Sequence, residues 1–102
     1  MTTALKLHDP DRLLHEPARL NLLAQLSVVR RADFTWLLHQ TGMTRGNLSV
    51  QMTRLSEAGL VAVEKQFCDN RPRTLYQMTS KGRKALRRYK KDMQAFLALL
   101  PD

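Results

Sequence analysis

The strongest constraint on this chain lies between Thr41 and Val61, in TGMTRGNLSVQMTRLSEAGLV, which reads as a turn, a helix and the start of a strand. Gly42 follows an apolar-periodic segment and suits the left-handed residue that ends a helix. Thr44 can cap the next helix, its hydroxyl accepting from a backbone N–H of the first turn. Leu48, Met52 and Leu55 then fall at i, i+4 and i+7 and make one buried stripe. At about 100° per residue the opposite side carries Gly46, Asn47, Val50, Thr53 and Arg54, flanked by Ser49 and Gln51. This face is short, mostly uncharged and rich in amides and hydroxyls. Such groups add little to a core and pair well with the edges of bases. Gly59 ends the helix, and Leu60-Val61 begins a strand.

The flanking sequence supplies the elements that such a unit packs against. Met1–His8 has little structural signal and reads as a frayed or partner-stabilised end. Asp9-Pro10-Asp11 looks like a helix start leading to the short apolar turn Leu13-Leu14. Pro17 marks a second start, since its missing N–H costs nothing at the first helical position. The helix from Pro17 to about Ser27 turns Leu20, Leu23 and either Leu22 or Leu26 toward a core, and Val28–Ala32 breaks the pattern. Phe34, Leu37 and Leu38 give i, i+3, i+4 spacing for a helix ending at Gly42. Trp36 lies off that stripe; packing against the final helix is favoured over lining a small ligand cleft or touching DNA backbone. Val61–Cys68 and Thr74–Met78 have strand character, joined by the turn-rich loop Asp69-Asn70-Arg71-Pro72-Arg73 into a hairpin with a basic tip and Cys68 at its root. Thr79 caps a long final helix in which Leu86, Tyr89, Met93, Phe96, Leu97 and Leu100 recur at helical spacings.

Charge narrows the partners. The 102 residues carry a net charge of +8, which favours a polyanion, nucleic acid before membrane. Its distribution is uneven: residues 1–40 net +1, residues 41–80 net +2 and residues 81–102 net +5. The surplus therefore sits in the final helix, where Lys81, Arg83, Lys84, Arg87, Arg88, Lys90 and Lys91 precede an apolar half from Met93 to Leu100. A single cysteine, Cys68, excludes an internal disulfide framework and suits a reducing cytoplasm. His8, His15 and His39 lack metal-ligand spacing. No secretory leader, bilayer-spanning run, nucleophile motif, phosphate loop or paired-carboxylate pattern appears, so neither a membrane location nor an enzyme, cofactor or metal is expected.

Five motifs in this order carry a resemblance: His15-Glu16-Pro17-Ala18-Arg19-Leu20, Thr44-Arg45-Gly46-Asn47-Leu48-Ser49, Leu55-Ser56-Glu57-Ala58-Gly59-Leu60-Val61, Arg71-Pro72-Arg73-Thr74 and Met78-Thr79-Ser80-Lys81-Gly82-Arg83. Over roughly residues 12–90 the chain resembles the winged helix-turn-helix transcriptional regulators, and within them the compact MarR/ArsR-like group of single winged-helix DNA-binding domains. The resemblance implies a homodimer that binds an imperfect palindrome in double-stranded DNA and usually represses. It also implies that Ala32-Asp33-Phe34 forms a minimal strand. Arg45, Gly46, Asn47, Ser49, Val50 and Gln51 match the family's groove-facing positions, and Arg71 and Arg73 its wing contacts. ArsR-type metal sensors often carry a cysteine-rich motif near the helix-turn-helix. This chain has none there, so the likeness supports DNA binding and not a metal switch.

The expected fold is α+β and mostly helical, one domain over residues 1–102. It has a core at 12–80, a two-stranded wing at 61–78 and a C-terminal dimerisation helix at 79–100. The expected DNA-binding residues are Thr44, Arg45, Gly46, Asn47, Ser49, Val50, Gln51, Arg54, Arg71 and Arg73. Tyr89, Met93, Phe96, Leu97 and Leu100 are the expected dimer seam. A small-molecule effector of unknown identity completes the partners open to such a chain. The rival reading is a winged-helix adaptor that binds protein and has no specific DNA site; few aromatics argue against a single-strand or RNA binder.

Overall fold

Four side chains set where the helices begin, each accepting from N–H groups that a helix start leaves unpaired. The protein is described here by a computed structural model covering residues 11–102; the readings of Met1–His8 and of the Asp9-Pro10 start lie outside the described residues. After the single turn α1 (Asp11–Leu14), Glu16 caps α2 (Pro17–Val28) through Ala18 N and Arg19 N, both at 3.0 Å. The Ala18 N–H holds the Glu16 carboxyl below its ordinary range, outweighing the opposite pull of burial. Asp33 caps α3 (Phe34–Thr41) at Trp36 N, 2.7 Å, and Thr44 caps α4 (Arg45–Glu57) at Asn47 N, 3.1 Å. Thr79 caps α5 (Ser80–Ala98) at Gly82 N, 3.0 Å. Gly42 takes the left-handed conformation that ends α3, with φ 69°.

The core gathers on α2. Leu22, Leu23 and Leu26 are all fully buried, so both candidates left open by the periodicity are used. The reason is that α2 is the central helix, touching α1, α3, α4, α5 and the last strand, and needs a wider apolar face than a surface helix. Leu37 of α3, the stripe Leu48, Met52 and Leu55 of α4, and Leu14, Leu60, Val61, Tyr76 and Met78 complete the cluster. Trp36 is half-buried and packs against it.

Three antiparallel strands, β1 (Ala32–Asp33), β2 (Val61–Cys68) and β3 (Arg71–Met78), lie in the order β1-β3-β2. The hairpin is tighter than its composition implied. Cys68 pairs with Arg71, and the turn is Asp69-Asn70 alone, both residues at positive φ, 53° and 62°. Two such residues make the turn whose twist matches the strands, and Asp and Asn tolerate that conformation best after glycine. Two expectations are corrected: Arg71-Pro72-Arg73 belongs to a strand rather than a loop, and Cys68 sits exposed at the tip of the hairpin rather than at its root. Pro72 is tolerated because β1 reaches only Tyr76 and Leu75, leaving β3 an edge strand at that point.

A third correction concerns Tyr89, expected in a dimer seam. It is buried in the chain's own core, its hydroxyl 2.7 Å from His15 Nδ1. The first half of α5 lies against α1, α2 and β3, so the helix's apolar stripe is divided. Leu86, Tyr89 and Met93 serve the core, and only the residues beyond them are left over.

Candidate nucleic-acid interface

The stripe Leu48, Met52 and Leu55 fixes the rotation of α4, and that rotation sends one row of side chains outward. Arg45, Gly46, Asn47, Ser49, Val50, Thr53 and Arg54 are exposed, Val50 by 51%. Thr44 is exposed too, its hydroxyl oxygen accepting from Asn47 N in the cap. Among the described residues, nothing outside its own turn of helix lies within 4 Å of a Cβ built at Gly46, so packing does not require that glycine. Arg45 is steadied from the side, its guanidinium 5.9 Å over the Phe34 ring. Thr53 bonds back to the Ser49 carbonyl at 2.9 Å. Gln51 departs from the others. It is half-buried, accepts from Arg19 Nη1 at 2.9 Å and donates to Asn47 Oδ1 at 3.1 Å.

Beside α4 the hairpin stands off to form an open cleft of about 560 Å³, lined among others by Phe34, Ser49, Thr53, Lys65, Thr74 and Tyr76. Burial pushes the Tyr76 hydroxyl up from its ordinary range, so this lining residue stays neutral. Directly paired residues of an antiparallel ladder share a face, so the pairs Val63–Tyr76 and Lys65–Thr74 put Lys65 on the α4 side. The pairs Gln66–Arg73 and Cys68–Arg71 fall on the other side. There Arg73 Nε meets Asp33 Oδ2 at 3.3 Å, and Arg31 meets Glu64 at 3.0 Å. Arg73 is therefore tied to the residue that caps α3, while Arg71 is exposed beside the turn. Phe67 stands 80% exposed near the tip.

The structure thus brings the α4 candidates onto one face and separates the two wing arginines from it by the thickness of the sheet. Two residues escaped sequence reasoning. Lys65 becomes visible once the turn is known to be two residues long, because register then fixes its face. Arg19 gives no local signal, since its partner Gln51 is 32 positions away.

On α5, Lys81, Arg83, Lys84, Arg87, Arg88, Lys90 and Lys91 are all exposed. Past them Leu97, Leu99 and Leu100 are exposed by 56%, 65% and 49%, with Phe96 half-buried. Among the described residues no helix is long and apolar enough to cross a membrane.

Comparison with known proteins agrees with this arrangement. The family described as winged helix DNA-binding domain matches residues 18–97. An uncharacterized protein of Methanocaldococcus jannaschii, MJ0432, is 30% identical over 78 residues, 76% of this chain and 85% of that one. The structure of a transcriptional regulator homologue from Pyrococcus horikoshii superposes with a TM-score of 0.80 at 30% identity, over 85% of this chain and 86% of the other. The transcriptional repressor CouR, bound to a 23-mer DNA duplex, gives a TM-score of 0.69 at 26% identity, over 84% of this chain and 63% of CouR.

Proposed function

The chain belongs to the winged helix DNA-binding domain family, and from that premise we propose that it is a homodimeric repressor that reads a palindromic operator with α4. The observation that carries the reading is the outward face of α4. Its cap and buried stripe leave Asn47, Ser49 and Val50 unburied in a row that the major groove can admit. Asn47 reaches a base edge and Val50 a thymine methyl, with Arg45 and Arg54 on phosphate or guanine. Gly46 leaves the α4 backbone open to a phosphate. Arg71 and Lys65 meet the DNA backbone from the wing, and the lysines and arginines of α5 add sequence-independent attraction. Phe96, Leu97 and Leu100 pair with a second copy, so that two reading helices enter grooves about 10 bp apart or a multiple of it. CouR, a repressor captured on duplex DNA, supports repression by occupancy of a promoter. A cytoplasmic location follows from that role.

Selection of genomic fragments on the purified protein tests this directly. A symmetric consensus is expected, and weak, sequence-blind capture would instead favour the adaptor reading. Asn47→Ala should relax preference at one position of each half-site by about 1–3 kcal/mol and leave the others intact. Unchanged preference would remove Asn47 from the reading set.

The two wing arginines should behave differently. Arg71→Ala should lower the slope of log affinity against log salt by about one unit. Arg73→Ala should change it less, because Asp33 already holds that guanidinium. Equal slopes for both variants would mean that DNA binding pulls Arg73 away from Asp33.

A further inference from the structure

Arg19 keeps its guanidinium inside the protein. Its side chain is 13% exposed, with Glu16 Oε2 3.7 Å away. Nε donates to the Leu13 carbonyl at 2.5 Å, and Nη1 donates to Gln51 Oε1 at 2.9 Å. From Gln51 the chain of bonds continues one turn back along α4, Nε2 donating to Asn47 Oδ1 at 3.1 Å.

The direction of this relay is forced from the Arg19 end. A guanidinium offers donors only, so Gln51 must present its oxygen to it. The Gln51 amide nitrogen then faces Asn47, which must answer with its own oxygen. The two Nδ2 hydrogens of Asn47 are what remain for a groove. Without Arg19 neither amide has a reason to prefer one orientation over its flipped form, since oxygen and nitrogen ends are nearly equal in size.

We infer that Arg19, acting through Gln51, orients the Asn47 amide and thereby sets base preference at one position of each half-site. Arg19 and Gln51 are positioning residues and touch no base. With its oxygen engaged, Asn47 leads with donors, which suits purine N7, guanine O6 or thymine O4 and disfavours the amino group of cytosine. The inference rests on the reading of α4 as the base-contacting helix. It also reassigns Gln51 from a reader to a support for one.

The test has two arms, both on the full chain. In the first, affinities for all four bases at each operator position are compared for wild type, Asn47→Ala, Gln51→Ala, Arg19→Met and the Arg19→Met/Gln51→Ala pair. Arg19→Met and Gln51→Ala should each lose about tenfold discrimination at the same position as Asn47→Ala, within the range of one good base contact. The pair should lose no more than either alone. A merely structural Arg19 would weaken every site alike and leave the preference pattern unchanged, which overturns the inference. Should Arg19→Met fail to fold, Arg19→Lys keeps the charge and the stem but has no planar fork to serve Leu13 and Gln51 together, and the same loss is expected.

The second arm needs no DNA. The side-chain amide resonances of Asn47 should shift in both Arg19→Lys and Gln51→Ala, while those of Asn21, on α2, stay in place. Asn47 signals indifferent to both substitutions would show that the relay is not formed in solution. If wild type selected no site at all, the reading of α4 would fall, and the amide signals would still report whether the relay exists.

Discussion

Leu97→Asp should give a monomer that folds normally and binds an operator about 10²–10⁴ times more weakly, because two linked reading helices gain that much over one. Leu97 is 56% exposed and lies beyond Tyr89 and Met93, where the chain's own core stops using α5. Its replacement therefore leaves that core untouched. Across the two-fold axis of the proposed homodimer the same residue appears on both sides of the seam. Each leucine buried there contributes about 1.5–3 kcal/mol, and an aspartate in its place must be desolvated without a partner. Light scattering reads the mass, circular dichroism the fold and gel shift the affinity. A persistent dimer would put the seam elsewhere on the molecule. A monomer that kept wild-type affinity would mean that one α4 with its wing is sufficient.

What the sequence made legible followed from short-range rules. Caps at Thr44 and Thr79, the left-handed Gly42 and the stripe Leu48, Met52 and Leu55 are each decided within a few residues, and the structure bears them out. The harder features depend on contacts between distant segments. Tyr89 fits a seam by spacing alone; only the approach of α1 and α2 assigns it to the core, beside His15. The hairpin loop read as five residues because Pro72 and two arginines look like a turn. The positive φ angles at Asp69 and Asn70 show that two residues suffice, and that one change of register decides which side of the sheet Arg73 and Lys65 occupy. Helical spacing puts Gln51 on the flank of the α4 face, but no pattern along the helix can show that Arg19 of α2 binds it.

Gly82→Ala should lower the thermal midpoint by about 10–20 °C at fixed protein concentration, for a loss of about 2–3 kcal/mol from overpacking. The sign is not obvious, since alanine in a helix interior is favoured over glycine by about 1 kcal/mol. Geometry decides it. At Gly82 the first turn of α5 passes against the exit of α4, where Thr79 N donates to the Leu60 carbonyl at 3.0 Å and Thr79 Oγ1 donates to the Gly59 carbonyl at 2.7 Å. A Cβ at Gly82 would overlap the Leu60 carbonyl oxygen and come within 2.8 Å of Met78 Cγ. The carbonyl is backbone and already holds Thr79, so it cannot swing aside without releasing α5. Gly46→Ala is the matched control, because the space at Gly46 is open. There the propensity gain stands unopposed and the midpoint should rise by about 4–8 °C. The same control separates stability from function: if a DNA phosphate approaches the α4 backbone at Gly46, the more stable variant binds DNA less well. A Gly82→Ala protein as stable as wild type would mean that α5 can slide away from Leu60, and the junction of α4, the hairpin and α5 would be looser than the Thr79 bonds imply.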